Sequence, residues 1–452
     1  MQRTTTWLLS LALLLAVALP NSMSLACDLC GLPDTVACVH PDLFEAFQTG
    51  GGGDDPAPYV FGGSQQGWTT TSGGSSPYGE EAILTWSVVP DGTTLPTGVG
   101  EPVSPSSLIA FLDGIHHGGP GPGGSDLTQR AWFPLMKSAF DRWDAVSAIR
   151  FTHSPQDDGV TLGSFSGVNG IRGDHRIGGH HLDGTTSPTF VAYNFFPNNA
   201  DMVIDTDEVG RMGNPGNNFV LFRNTLMHEI GHGLGLNHPA SSDSKFLMEA
   251  ILDGTIDGPQ LDDILGIHRL YGDRYEEFGG NDTAVKATNL GLLSIGQSIK
   301  LGEDAVDKVV APTDVDFVSI NMAADTDYYK VSLAEAGKLS IVLTPLGPTY
   351  KDGPNGGTQV DFVSAAQSDL SLRIYDSTGL NLLANVNSNG LGGLESLLQF
   401  PADAANYFIR VSGLQDAAQF YQLDIALVPE PAGFTLLAFG IVALGSWRQR
   451  SI

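Results

Sequence analysis

Positive charge is scarce in this chain: 22 Lys and Arg stand against 50 Asp and Glu over 452 residues, a formal net charge of −28. Such a field disfavours nucleic acid and anionic lipid as partners. Cysteine is nearly absent as well, with only Cys27, Cys30 and Cys38. Three thiols cannot all pair within one chain, so one stays free or pairs with another chain. No tandem repeat of solenoid type is present. The length leaves room for two domains with real cores.

Long apolar runs occur only near the two ends. Arg3, the apolar stretch from Trp7 to Leu19, and Ser24-Leu25-Ala26 make a positive, hydrophobic and small-residue sequence in that order. This is the pattern of a secretory signal, which places the working protein outside the cytoplasm. Cys27 directly after Ala26 leaves a lipid-carrying terminus as an alternative. At the other end, Val428-Pro429-Glu430-Pro431 precedes an apolar run from Gly433 to Trp447, then Arg448 and Arg450. That run is short for a permanent span of roughly 20 residues.

The densest chemistry lies in His228-Glu229-Ile230-Gly231-His232-Gly233-Leu234-Gly235-Leu236-Asn237-His238. On a helix, His228 and His232 are one turn apart and project from one face. Gly235 allows a sharp turn out of the helix, since glycine tolerates positive φ. The turn returns His238 as a third ligand and leaves a fourth zinc position open, as catalysis requires. Glu229 is placed to act as general base on a water there.

This pattern resembles the metzincin zinc peptidases, and its neighbours narrow the resemblance to the matrixin-like branch. Met248, in Phe246-Leu247-Met248-Glu249-Ala250, stands where that family has its Met-turn beneath the zinc ligands. Leu261 to Gly272 resembles the closing helix of the catalytic domain, with Ile264, Ile267, Leu270 and Tyr271 on one face. Upstream, Ala82 to Ser87 reads as a first strand. Trp132, Leu135, Met136, Ala139, Phe140, Trp143 and Val146 recur at helical spacing between Leu127 and Ser147. The resemblance implies an α+β zincin-like fold, a mixed twisted sheet with helices and zinc on the active-site helix. It also implies hydrolysis of peptide bonds in protein or peptide substrates, with Glu229 passing a proton from water to the leaving amine.

Further residues follow from the same likeness. Asp183-Gly184 and Asp201 to Glu208 resemble a loop that wraps a structural calcium, with Asp183, Asp205 and Glu208 as the carboxylates; a solvated acidic turn is the alternative. Where relatives hold a second, structural zinc, this chain has Tyr193 and Val203. His180, His181, His116 and His117 are read as solvent-facing rather than as ligands. Cys30-Gly31-Leu32-Pro33-Asp34 resembles the matrixin cysteine switch, in which a thiolate fills the open zinc position. Asp28 and Leu29 depart from that motif, and a disulfide among the three cysteines is the alternative. The loop from Pro239 to Phe246 is expected to shape the specificity pocket.

From about Asp314 the pattern changes to short alternating strands: Asp327–Leu333, Lys338–Leu343, Leu370–Tyr375, Tyr407–Val411 and Phe420–Ile425. Such spacing argues an all-β sandwich. Asp325-Thr326-Asp327-Tyr328-Tyr329 and Ala405 to Val411 resemble bacterial pre-peptidase C-terminal domains, whose role is that of appendage, substrate-binding module or spacer. The C-terminal tail resembles a PEP-CTERM sorting signal, which implies an exosortase-type partner and contact with the membrane only through that segment. The expected organisation is therefore a signal peptide (1–26), a Gly-rich segment or propeptide (27–79), a metallopeptidase domain (80–275), a linker or start of the β domain (276–313), the sandwich (314–427) and the sorting signal (428–452). The competing readings are a non-catalytic zinc-containing surface or adhesion module, and a zinc hydrolase of some other bond. Intact Glu229 argues against the first, because a structural zinc has no use for it.

Overall fold

The computed structural model describes residues 36–37, 67–116, 124–163, 167–184 and 189–429. The proposed signal, Cys27, Cys30, Cys38, His117 and the apolar C-terminal run lie outside the described residues. Among the described residues, no helix is long and apolar enough to cross a membrane.

The first half is built on a five-stranded sheet of β1 (Ala82–Val88), β2 (Ile149–His153), β3 (His175–His180), β4 (Ala192–Asn194) and β5 (Met202–Asp205). Its order is β4-β5-β3-β1-β2, all parallel except the edge strand β4. Alternation explains β1: Ala82, Leu84 and Trp86 are buried while Ile83 is exposed. Trp86 stacks on Phe140 of helix α1 (Phe133–Ala145), with centroids 4.5 Å apart and planes 7° from parallel. The helical spacing read from Leu127 onward is split in the structure. Leu127–Gln129 is a separate 3₁₀ turn capped by Asp126, and α1 starts afresh at Phe133, where Pro134 suits a first helical turn. Helix α2 (Val220–Leu234) packs on α1 and on the sheet, and α3 (Leu261–Tyr271) closes this half.

The second half is a sandwich. One sheet has the order β7-β9-β16-β13-β14, formed by Thr288–Leu293, Thr326–Leu333, Asn406–Gly413, Leu370–Tyr375 and Leu382–Val386. The other has the order β8-β17-β10-β15, formed by Ser298–Leu301, Gln419–Val428, Gly337–Pro345 and Glu395–Ala402. Strict in-out alternation in β9 and β10 supplies the inner faces. A small three-stranded sheet lies apart from both: β6 (Pro239–Ala240), β11 (Thr349–Pro354) and β12 (Val360–Val363) pair in the order β6-β11-β12.

The two halves share a core. Val310, Phe317, Tyr350, Phe362 and Phe420 of the second half pack in the same buried cluster as Trp143, Ile230, Met248 and Ile264 of the first. Polar contacts seal the junction. His268 Nδ1 is 2.8 Å from Ser319 Oγ, and Arg142 donates to the Asp314 carbonyl at 2.8 Å.

Candidate metal centre

Helix α2 is buried on nearly every side and is fixed by donors from three directions. Trp143 Nε1 donates to the Met227 carbonyl (3.0 Å), Trp68 Nε1 to Gly233 (2.8 Å) and Tyr271 Oη to Leu234 (2.7 Å). Asn194, on edge strand β4, donates to the Glu229 carbonyl. The helix ends at Gly235, whose φ of 111° is left-handed, and Leu236 N–H folds back to the Gly231 carbonyl at 2.9 Å. This is the glycine-terminated helix end expected from the spacing.

That turn brings the three histidines together. The Nε2 atoms of His228, His232 and His238 lie 3.0, 3.1 and 3.0 Å from one another. His228 Nδ1 is 2.7 Å from the Leu247 carbonyl, and His232 Nδ1 is 2.8 Å from that of Leu236. A carbonyl only accepts, so each Nδ1 carries the proton and each Nε2 turns a lone pair inward. Converging lone pairs repel one another unless a cation sits among them. Tetrahedral zinc with nitrogens at ~2.0–2.1 Å sets its ligands roughly 3.3–3.4 Å apart, close to the spacing seen. The residues therefore fit zinc. Burial also holds the His228 imidazole down at about 4, so it stays neutral and able to ligate.

Glu229 is fully buried, one residue after the first ligand. Met248 lies beneath the helix, where a Cβ on Gly231 would collide with its sulfur. The segment carrying Met248 is held by Asp263, a residue whose part was not drawn out of the sequence. Its carboxylate accepts from Leu247 N–H (2.7 Å), Met248 N–H (3.1 Å) and Gln260 N–H (2.7 Å). The last bond belongs to a capping box with Gln260 at the start of α3. A carboxylate three residues after a polar cap was the available signal.

The acidic loop groups differently from expectation. His181, Asp205 and Asp207 offer ligand atoms within 4.8 Å of one another, with His181 Nδ1 2.6 Å from Asp207. Of the expected trio, Asp205 is in this group and is pushed up to about 6 by burial, against two backbone donors. Glu208 is engaged with Arg211 at 3.1 Å, and Asp183 accepts from Phe190 N–H at 3.1 Å. Burial, with the charges of Glu208 and Asp207, raises the Asp183 carboxyl.

Two histidines depart from the solvent-facing reading. His180 is buried, its Nε2 3.4 Å from Glu101, because β3 is covered on both faces. His116 is buried between Phe219 and Phe222. His181 is exposed as expected. Tyr193 and Val203 pair across β4 and β5. The Tyr193 hydroxyl meets Pro96 O (3.0 Å) and Glu101 (3.1 Å), and Glu101 also accepts from Gly98 and Val99 N–H. A polar knot of side chains thus anchors this loop.

One more group lies at the junction of the halves, where Glu276, Asp325 and Asp327 bring carboxylates together in a buried setting. Burial, together with nearby carboxylates that include Asp273, raises all three; Asp325 reaches about 8 and Glu276 about 10.

The chain is similar to known proteins in two regions. Residues 123–272 match the family described as Matrixin, and residues 325–413 match the Bacterial pre-peptidase C-terminal domain. The chain therefore carries a matrixin domain followed by a pre-peptidase C-terminal domain. It is 34% identical over 155 residues to the hatching enzyme of Paracentrotus lividus, covering 33% of this chain and 24% of that one. It is 31% identical over 166 residues to matrix metalloproteinase-16 of Rattus norvegicus, with the same coverage. The chain thus spans about a quarter of the length of these relatives. Among solved structures, the pre-peptidase C-terminal domain of a Bacillus anthracis collagenase is 14% identical, covering 31% of this chain and 92% of that one. The TM-score of that match is 0.18.

Proposed function

We propose that this protein is an exported zinc metalloendopeptidase that hydrolyses peptide bonds in protein substrates. The observation that carries the reading is the convergence of three histidine Nε2 atoms with Glu229 directly after the first of them. The matrixin match supports it. Zinc held there would polarise the scissile carbonyl and acidify a water. Glu229 takes the proton of the attacking water and gives it to the leaving amine. His228 and His232 are kept in the ligating tautomer by the Leu247 and Leu236 carbonyls. Gly235 and Asp263 hold the turn and the Met248 segment in register.

The remaining parts of the reading rest on sequence. The N-terminal pattern supports export, and the C-terminal pattern supports handling by an exosortase-type sorting machinery. Calcium held by Asp183, Asp205 and Glu208 is supported by the likeness of this acidic segment to the matrixin calcium loop; Asp205 also lies in a group with His181 and Asp207. A cysteine latch through Cys30 is supported by the likeness of Cys30-Gly31-Leu32-Pro33-Asp34 to the matrixin switch.

The test uses the full chain, as wild type and as Cys30→Ser, on mixed protein substrates. Cleavage abolished by a chelator and restored by zinc is the expected result. Cleavage indifferent to chelation refutes the metal reading. Equal basal activity in the two proteins sinks the latch alone.

A further inference from the structure

Of the three metal-facing histidines, only His238 lies off helix α2, on a segment with almost no regular structure of its own. That segment is held by the second domain. Pro239 and Ala240 of β6 pair antiparallel with Pro354 and Gly353 of β11. Asn355 N–H donates to the carbonyl of His238 itself at 3.2 Å. Ser241 Oγ donates to Lys351 O at 2.6 Å, and Lys351 N–H donates to Asp243 at 2.7 Å. Below, the buried Tyr350 ring lies 5.4 Å from Phe246, and its hydroxyl donates to Asp262 at 2.9 Å, next to the Asp263 that fixes Met248. Contacts thus run along the loop from His238 to Met248.

The hairpin making these contacts belongs to neither sheet of the sandwich. It leaves the sandwich after β10 and returns before β13, and Tyr350 and Phe362 complete the core of the peptidase half. Packing of the sandwich gives no reason for this excursion, whereas the loop behind the third ligand does.

We propose that hairpin Thr349–Val363 is a positioning element of the peptidase site, fixing His238 and the loop that follows it. The inference rests on the zinc peptidase reading above. On this account the C-terminal domain is neither spacer nor removable appendage, and the metal centre is complete only when it is docked. Partners that orient metal ligands typically change metal affinity 10–100-fold when removed.

The experiment uses the full chain carrying Ser241→Ala with Asp243→Ala, and separately a chain with residues 352–360 replaced by two glycines. Zinc affinity is read by competition with a chromophoric chelator, and kcat and KM on a peptide substrate. Both variants should bind zinc about tenfold or more weakly, with kcat falling more than KM changes. Ser241→Thr with Asp243 unaltered, which keeps the hydroxyl, should retain most of the wild-type affinity. Lys137→Ala, which removes only the exposed pair Lys137–Asp141 on α1, should leave both readouts unchanged. Wild-type affinity and kcat in the folded Ser241→Ala, Asp243→Ala protein would overturn the proposal. If the unaltered chain itself fails to bind zinc, the peptidase reading falls and this inference with it.

Discussion

Asp263→Ala is the sharpest probe of how the Met248 segment is held. The substitution removes an acceptor used by three buried N–H groups, those of Leu247, Met248 and Gln260. Each buried donor left without a partner costs about 1–3 kcal/mol, so the gross loss is at least about 3 kcal/mol. An opposing effect depends on pH. Burial pushes the Asp263 carboxyl up to about 7, although the three donors pull it down. A raised folded-state value means the native state binds the proton more tightly than the unfolded chain does. This group's contribution is therefore greatest below about pH 4 and fades as pH rises through 7, by up to about 4 kcal/mol. Asp263→Ala should cost about 1.5 kcal/mol or more at pH 5, and clearly less at pH 8. The assay is urea unfolding of the full chain at both pH values, in a Glu229→Ala background to prevent self-cleavage. A cost below about 1 kcal/mol at pH 5, or one that does not shrink by pH 8, refutes the reasoning.

Gly235→Ala should destabilise the fold by about 1 kcal/mol or more, because φ is 111° there. It should also weaken zinc binding, since the turn sets His238; unchanged thermal midpoint and metal affinity would contradict this. Tyr193→Phe should cost about 1 kcal/mol through loss of the hydroxyl contacts to Pro96 and Glu101, with zinc affinity unaffected. His228→Ala should abolish zinc binding as measured by metal content, whereas retention of one zinc per chain would remove His228 from the ligand set.

Much of the site could be read before any coordinates. The i, i+4 histidines, the glycine turn and Met248 are local in sequence, so helical geometry alone brings them near one another. Strands β9, β10, β13, β16 and β17 were equally legible, because alternation reports directly which face is buried. Alternation does not report what the buried face meets. Tyr350 and Phe362 lie between the strands read from alternation, and they pack in the peptidase core. The docking of β11 on β6 depends on segments more than a hundred residues apart and leaves no periodic trace. His180 was misjudged for a related reason. It ends a strand covered on both faces, and the covering loop carries Glu101, far away in sequence. Asp263 shows the intermediate case: its capping position was legible, but its bonds to the Met248 segment were not.

The central claim is a three-histidine zinc centre with Glu229 as its proton carrier. Glu229→Ala tests it most directly, with bound metal and peptide hydrolysis measured on the same purified full-length sample. The account predicts one zinc per chain, as in the wild type, and hydrolysis reduced by about 10²–10⁴-fold. Zinc retained with hydrolysis undiminished would contradict it.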